Sequence, residues 1–332
     1  LSKFMINCTI IGAGQVGSRH LQALSNLESP TRIDLVDPSG ESLKIAQGRY
    51  EEVSSKNKKH IQILYHNNLA NLPNKLDLVI ISTNSIVREK IIKEVVKKNS
   101  VKNLILEKIL FQRSAQYAEI EHLLKKSSIP TWVSCWMRTT NLFKQIKNVL
   151  NLNHSIKIKV EGTRWGMATA SIHFMDLLYY LTECNNFKFI KSNLNKEVRD
   201  AKRSGFKEFF GCLSGENSRG DSLNLTCNEK GGDRPIKVTI KNGPETYELL
   251  MSDVTTHFDF ESSDGLKNKI KEECFPYQSE MTHIWVNDIL SKGYCDLPTY
   301  SNSSTLHLEL IRVFTEHLKK ITGKINNVCP IT

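Results

Sequence analysis

Gly12-Ala13-Gly14-Gln15-Val16-Gly17 stands directly after the apolar run Asn7 to Ile11 and at the head of an amphipathic stretch. Glycines at that spacing have separate tasks. The first permits a tight turn, the second lets the backbone approach a pyrophosphate, and the third lets helix and strand pack closely. The helix N-terminus adds free N–H groups and the positive end of its dipole. Alone, the pattern is also an ordinary glycine turn. Asp37, 20 residues past Gly17, ends the second strand-like run, where an acidic side chain binds the adenine ribose hydroxyls. With it, Gly12, Ala13, Gly14, Gln15, Val16, Gly17 and Asp37 read as a dinucleotide site. A carboxylate there repels the 2′-phosphate of NADP, so NAD is favoured, while Ser39 and Arg49 leave room for NADP.

Two further strand ends carry chemistry. Ser82-Thr83-Asn84 closes the fourth strand, where short polar groups touch the nicotinamide ribose or pyrophosphate, or else cap the next helix. Glu107-Lys108 closes the fifth. A lysine in that position can orient or protonate a substrate oxygen as a hydride moves, with Glu107, counted among the cofactor-side residues, holding it or the chain in place. The competing reading is a strand-edge lysine reaching solvent.

The elements that must position these residues follow from the alternation of short apolar and longer amphipathic runs up to about residue 150. Strands are expected at Asn7 to Ile11, Arg32 to Asp37, Ile61 to Tyr65, Leu76 to Ser82, Asn103 to Glu107 and Thr131 to Ser134. Between them lie helices such as Val87 to Lys98, with Ile91, Val95 and Val96 inward and Lys90, Lys93, Lys97 and Lys98 in water. This is the rhythm of a doubly wound parallel sheet. Farther on, Ile156 to Thr163 reads as a strand and Ala168 to Leu181 as a helix. Short β runs from Phe206 to Phe260, parted by turns such as Gly231-Gly232-Asp233 and Asn242-Gly243-Pro244, read as antiparallel sheet. Helices Ser279 to Ser291 and Ser303 to Ile321 end the chain, the latter striped by Leu306, Leu310, Val313, Phe314 and Ile321. The fold class is therefore α/β, with a Rossmann domain over residues 1–135 and an α+β domain over 136–332. The last helix is allowed to pack back on the first domain.

The length, 332 residues, accommodates two such domains, and 39% apolar with 24% charged residues excludes a disordered or collagen-like chain. No apolar run approaches the ~18 residues of a membrane span. Residues 1–150 hold 22 basic and 12 acidic side chains and residues 151–332 hold 23 of each, so the +10 charge resides in the first half. Its lysines recur singly on helix faces, without interleaved aromatics, which argues against nucleic acid as a partner. Cys8, Cys135, Cys184, Cys212, Cys227, Cys274, Cys295 and Cys329 form no CxxC pair, so no metal is expected. Reduced thiols in the cytoplasm are the simpler expectation. His20, His283 and His307 lack a partner pattern and read as surface or core.

With these pieces in order, the chain resembles the Gfo/Idh/MocA family of oxidoreductases, named for glucose-fructose oxidoreductase and inositol dehydrogenase. The resemblance is carried by the glycine loop with His20, Asp37, Ser82-Thr83-Asn84, Glu107-Lys108 and the helix Ser171-Ile172-His173-Phe174-Met175-Asp176. Gln278 to Leu318, with Leu297-Pro298-Thr299-Tyr300, is also similar. It implies an N-terminal Rossmann domain, a second domain with a large, mostly antiparallel sheet, NAD(P), and hydride transfer at a hydroxyl or ketone carbon of a sugar or nucleotide-linked sugar. It also implies dimers or tetramers through sheet faces. Lys108 matches the family lysine and His173 the family histidine as catalytic residues. The family proline is Ile109 here, and the family Asp four residues before the histidine is Thr169. That exchange removes a negative charge and leaves a hydroxyl, so a catalytically impaired regulatory or scaffold protein is the alternative. Arg138, Arg164 and Trp165 fall where the resemblance places the substrate pocket, suited to an anionic group and to stacking on a sugar or base. Asp176 joins them as a substrate residue. The plainer alternatives are an interdomain salt bridge or core residue for each of Arg138, Arg164 and Trp165, and a His173 satisfied by its neighbour Asp176.

Overall fold

A computed structural model describes residues 5–232, 235–251, 256–261, 267–270 and 275–332. Asp233 and Cys274, named above, lie outside them. The chain divides into two compact units. One contains residues 1–111, 115–134 and 276–300, and the other 112–114, 135–275 and 301–332.

The first unit is a six-stranded parallel sheet. It contains β1 (Ile6–Ile11), β2 (Thr31–Val36) and β3 (Ile61–His66). Beyond the two-residue β4 (Lys75–Leu76) come β5 (Leu78–Ile81), the short β6 (Ser100–Val101), β7 (Leu104–Leu106) and β8 (Thr131–Val133). The order is β3-β2-β1-β5-β7-β8, with β4 and β6 as a separate parallel pair. The chain thus leaves β1 toward one edge and returns beside it through β5, which makes the crevice at the strand C-termini a ligand position. Strands β5, β7 and β8 are buried along their whole length, as expected for a sheet covered on both faces.

Helices α1 (Gln15–Leu24), α2 (Gly40–Glu51), α3 (Arg88–Lys98) and α4 (Ser114–Lys126) form the crossovers. The inward stripe of α3 is Arg88, Ile92 and Val95, not Ile91, Val95 and Val96. The buried arginine rotates the helix, leaving Ile91 and Val96 half-buried while Lys90, Lys93, Lys97 and Lys98 stay exposed. Late in the chain, α7 (Gln278–Lys292) returns to this unit and packs on α1, burying Met281, Thr282, Trp285, Val286 and Ile289.

The second unit starts with a 3-10 turn, Trp136–Thr139, and α5 (Asn141–Val149). Strand β9 (Ile156–Thr163) and helix α6 (Met167–Thr182) follow. Then come β10 (Lys188–Leu194), the small antiparallel pair β11 (Arg199–Asp200) and β12 (Lys207–Glu208), β13 (Gly211–Glu216), β14 (Ser222–Asn228), β15 (Ile236–Asn242), β16 (Glu245–Met251), β17 (Thr256–Glu261) and β18 (Lys267–Ile270). The main sheet runs β10-β13-β14-β9-β15-β16-β17-β18 and is antiparallel except at β14 and β9. In β9, Ile156, Ile158 and Val160 are buried while Lys157 and Lys159 are exposed. That alternation seats one sheet face under α6 and gives the other to charged side chains. Helix α8 (Tyr300–Thr322) closes the unit, with Phe314 stacked on Phe209 at 4.3 Å and Glu309 accepting the Phe189 N–H at 2.7 Å. Its stripe buries Leu306, Leu310, Val313 and Phe314, whereas Ile321, in the final turn, is half-exposed. Among the described residues no helix is long and apolar enough to cross a membrane.

Candidate active site

In the first unit, the glycine loop, Asp37, Ser82–Asn84 and Lys108 all follow C-terminal ends of parallel strands, so one edge of the sheet carries them. The glycines are required for different reasons. Gly12 has φ +103°, and a Cβ there would stand 3.0 Å from the backbone of Ser82 and Thr83. A Cβ on Gly17 would lie 1.7 Å from the Gly12 carbonyl oxygen. Both are therefore demanded by the protein's own packing. Gly14 differs: apart from its chain neighbours and the adjoining helix backbone, no atom of the described residues lies within 4 Å of its would-be Cβ. It is exposed and caps the N-terminus of α1, whose first turn holds neither a side-chain cap nor an acid. An open, donor-rich helix mouth of this kind fits a pyrophosphate.

Asp37 first holds this loop. Its Oδ2 accepts the Ala13 N–H at 2.7 Å and its Oδ1 the Ser39 N–H at 2.8 Å. Each carboxylate oxygen retains a second acceptor position for a ribose hydroxyl. Gln15 and Val16 form the first turn of α1, Gln15 exposed and Val16 half-buried. The two groups offered for a 2′-phosphate are engaged: Ser39 caps α2 and Arg49 donates to Ser18 Oγ at 2.6 Å.

Ser82 Oγ donates to the Gly12 carbonyl at 2.7 Å, fixing the loop from the neighbouring strand end. Thr83 Oγ1 is buried and has no hydrogen-bond partner among the described residues, which fits a polar ligand beside it. Asn84 Oδ1 accepts the Ile86 and Val87 N–H groups at 3.0 and 3.4 Å, so it shapes the entry to α3.

Lys108 is half-buried directly after β7, and its peptide to Ile109 is cis. Glu107, 6% exposed, lies with its Oε1 3.1 Å from His20 Nε2. Burial pushes its carboxyl up, but the hydrogen bonds of His20 and Ser134, together with the charges of His20 and Lys108, hold it below the ordinary glutamate range. His20 is fully buried, and its Nδ1 lies 2.8 Å from Thr282 Oγ1 on α7. The side chain of Arg88, 1% exposed, donates to the carbonyls of Thr83, Ile109 and Leu110. Sequence reasoning missed Arg88 and Thr282, and it left His20, a carrier of the resemblance, without its partners. One signal was present, since His20 falls three residues after Gly17 and so on the same helical face.

In the second unit, α6 carries His173, Thr169 and Asp176. Thr169 sits in its first turn, where its Oγ1 donates to the Gly166 carbonyl at 3.3 Å. His173 is 6% exposed and its ring lies 5.9 Å from that of Trp136. Asp176 is fully buried and its Oδ2 is 3.1 Å from Arg138 Nε, while the Arg138 guanidinium lies 5.0 Å from the Tyr179 and Tyr180 rings. Burial pushes the Asp176 carboxyl up to about 7 against the lowering influence of Arg138. The structure thus brings His173, Trp136, Arg138 and Asp176 together along α6. Arg164 and Trp165 stand at the turn after β9. Exposed Arg164 donates through Nε to the Glu229 carbonyl at 2.8 Å. Trp165 Nε1 donates to the Thr226 carbonyl at 2.9 Å, and its ring meets Phe174 edge-on at 5.7 Å. Among the described residues no group of three His, Cys, Asp or Glu side chains is placed to hold a metal ion.

Residues 6–134 match the model of the oxidoreductase family with an NAD-binding Rossmann fold, Gfo/Idh/MocA. No curated protein sequence matches the chain. Among solved structures, the chain is similar to UDP-N-acetylglucosamine 3-dehydrogenase GnnA from Acidithiobacillus ferrooxidans, with TM-score 0.68, 11% identity and coverage of 93% of this chain and 97% of that one. An oxidoreductase from Agrobacterium radiobacter in complex with NAD+, L-tartaric acid and magnesium matches with TM-score 0.67 and 13% identity, covering 92% and 94%. The transcriptional regulator Gal80p from Kluyveromyces lactis matches with TM-score 0.69 and 13% identity, covering 96% and 94%. At these identities the likeness concerns the fold. The glycine loop, the parallel sheet and the match over residues 6–134 thus make the first part of this chain an NAD-binding Rossmann fold similar to that of the Gfo/Idh/MocA oxidoreductases.

Proposed function

We propose that the chain is an NAD(P)-dependent oxidoreductase acting on a hydroxyl or ketone carbon of a sugar or nucleotide-linked sugar, with NAD preferred. The observation that carries this reading is Lys108 at the same C-terminal sheet edge as the open mouth of α1 at Gly14. The nicotinamide supplies the hydride acceptor or donor when bound. The α1 N-terminus and the Gly14 backbone bind the pyrophosphate, and Asp37 orients the adenine ribose. Lys108 Nζ donates a hydrogen bond to the substrate oxygen and favours its anionic form, and the His173 imidazole takes or returns the hydroxyl proton. Arg138, Arg164, Trp165 and Asp176 belong to the substrate side of this reading. The protein works in the cytoplasm as a homodimer or homotetramer.

Thr169 favours a second reading. Its hydroxyl bonds to its own turn, leaving no carboxylate at that position beside His173, as suits a dinucleotide-binding regulator; the similarity to Gal80p is consistent with this. Assaying NAD+ reduction and NADH oxidation across a panel of sugars and nucleotide sugars separates the two. The enzyme reading expects turnover that Lys108→Ala and His173→Ala each lower by about 100-fold or more with NADH binding retained. Tight NADH binding without turnover on any panel member supports the regulator instead. Turnover unaffected by both substitutions rejects the mechanism.

A further inference from the structure

We propose that His20 and Arg88 are positioning residues for Lys108, fixing the backbone on either side of it. On the N-terminal side a buried chain of polar groups runs from α7 through α1 to the end of β7. Gln278 Nε2 donates to Thr282 Oγ1 at 2.9 Å, Thr282 Oγ1 is 2.8 Å from His20 Nδ1, and His20 Nε2 is 3.1 Å from Glu107 Oε1. Two arrangements of protons satisfy the links, because Thr282 Oγ1 also lies 3.3 Å from the Gln278 carbonyl and can donate there instead of to Nδ1. In both, His20 Nε2–H donates to Glu107. Glu107 therefore has one preferred orientation, and the next residue is Lys108.

On the C-terminal side Arg88 does the equivalent work with carbonyls. Its guanidinium bridges Thr83, at the end of β5, to Ile109 and Leu110. An arginine that is 1% exposed on α3 has no packing reason to be preferred over leucine or methionine, and burial without hydrogen bonds would be costly. Its planar fork of donors instead pins three carbonyls in fixed relation. Lys108 thus stands between two anchors drawn from α1, α7 and α3, and α1 is also the helix whose N-terminus forms the cofactor cradle. A shift of ~1 Å in a catalytic group can lower a rate by ~100-fold, so anchors of this kind act through geometry rather than contact.

The proposal rests on reading Lys108 as the reaction's lysine, but its test needs no turnover. Lysines are converted to isotope-labelled dimethyl-lysine, and the Lys108 NMR signal is identified by its loss in Lys108→Arg. The variants are His20→Gln, which keeps a donor for Glu107, Arg88→Met, and the double variant His20→Leu with Glu107→Leu. Removing both partners of a buried pair leaves no orphan charge, and thermal melting checks that the double variant is folded. Expected is a Lys108 titration midpoint displaced by ~0.5 pH unit or more in Arg88→Met, and a broadened signal both there and in the double variant, whose midpoint also moves because the Glu107 charge is gone. His20→Gln stays near wild type, and NADH affinity stays within about twofold in His20→Gln and Arg88→Met. A Lys108 linewidth unchanged in the folded double variant overturns the proposal. If Arg88→Met does not fold, Arg88→Lys replaces it, and a wild-type signal there overturns the Arg88 half. A chain that turns over no sugar defeats the reading of Lys108, whereas the signal alone judges its anchors.

Discussion

Glu107 in the first unit and Asp176 in the second are both buried carboxyls facing a basic side chain, yet their surroundings treat them in opposite ways. Glu107 receives the His20 hydrogen bond and is held below the ordinary range despite burial. Asp176 has Arg138 3.1 Å away, but both of its oxygens lack a hydrogen bond among the described residues, and burial pushes it up to about 7. Charge alone does not keep a buried carboxylate ionised; directed donors do. The wider regions differ in the same sense. The glycine loop is specified by backbone geometry, so its ligand can be inferred from what the protein does not fill. Helix α6 offers reactive types, His173, Asp176 and Thr169, whose roles depend on what meets them.

The strongest way to break the loop side is Gly17→Ala. The new Cβ would stand 1.7 Å from a backbone oxygen, so unfolding by denaturant should show a loss of more than ~3 kcal/mol. A variant as stable as wild type would mean that the close packing of α1 on β1 is not needed.

The carboxyl contrast predicts opposite pH slopes. Asp176 is raised in the folded state from 3.8 to about 7, so the folded chain binds its proton more tightly than the unfolded one. Its stabilisation is full below pH ~4 and lost as pH rises through ~7. Wild type should therefore lose ~1.4 kcal/mol per pH unit relative to Asp176→Asn between pH ~5 and ~7. Glu107 has the reverse sign. Its folded value lies below 4.5, so its contribution is present at neutral pH and disappears as pH falls through that lowered value. Glu107→Gln should cost ~1–2 kcal/mol at pH ~7, with the difference from wild type shrinking in acid. Denaturant titrations across pH check both, and parallel slopes would remove the contrast.

The parallel sheet, the antiparallel second sheet and the glycine loop were legible because each is written in local periodicity. Alternation in Ile156 to Thr163 and the spacing from Gly12 to Asp37 need no knowledge of distant residues. The anchors around Lys108 were not legible in that way. His20 meets partners 87 and 262 positions away, and no local pattern encodes such a meeting. Arg88 was hidden for another reason. A charged residue at the start of an amphipathic helix reads as solvent-facing, and only the three carbonyls gathered by the fold make burial favourable. On α6 the residue types were visible, whereas the pairing of Asp176 with Arg138 depends on how the 3-10 turn at Trp136–Thr139 lies on the helix.

The most direct measurement is NADH titration by fluorescence of wild type beside Gly14→Val, with thermal melting of both. Because no other part of the described residues reaches the space at the Gly14 Cβ, the two should melt within a few degrees of each other. The valine should nevertheless weaken NADH binding by ~10-fold or more, since a side chain would occupy the approach to the pyrophosphate. Equal affinity in both proteins, or no NADH binding by wild type, would contradict the cradle on which the account depends.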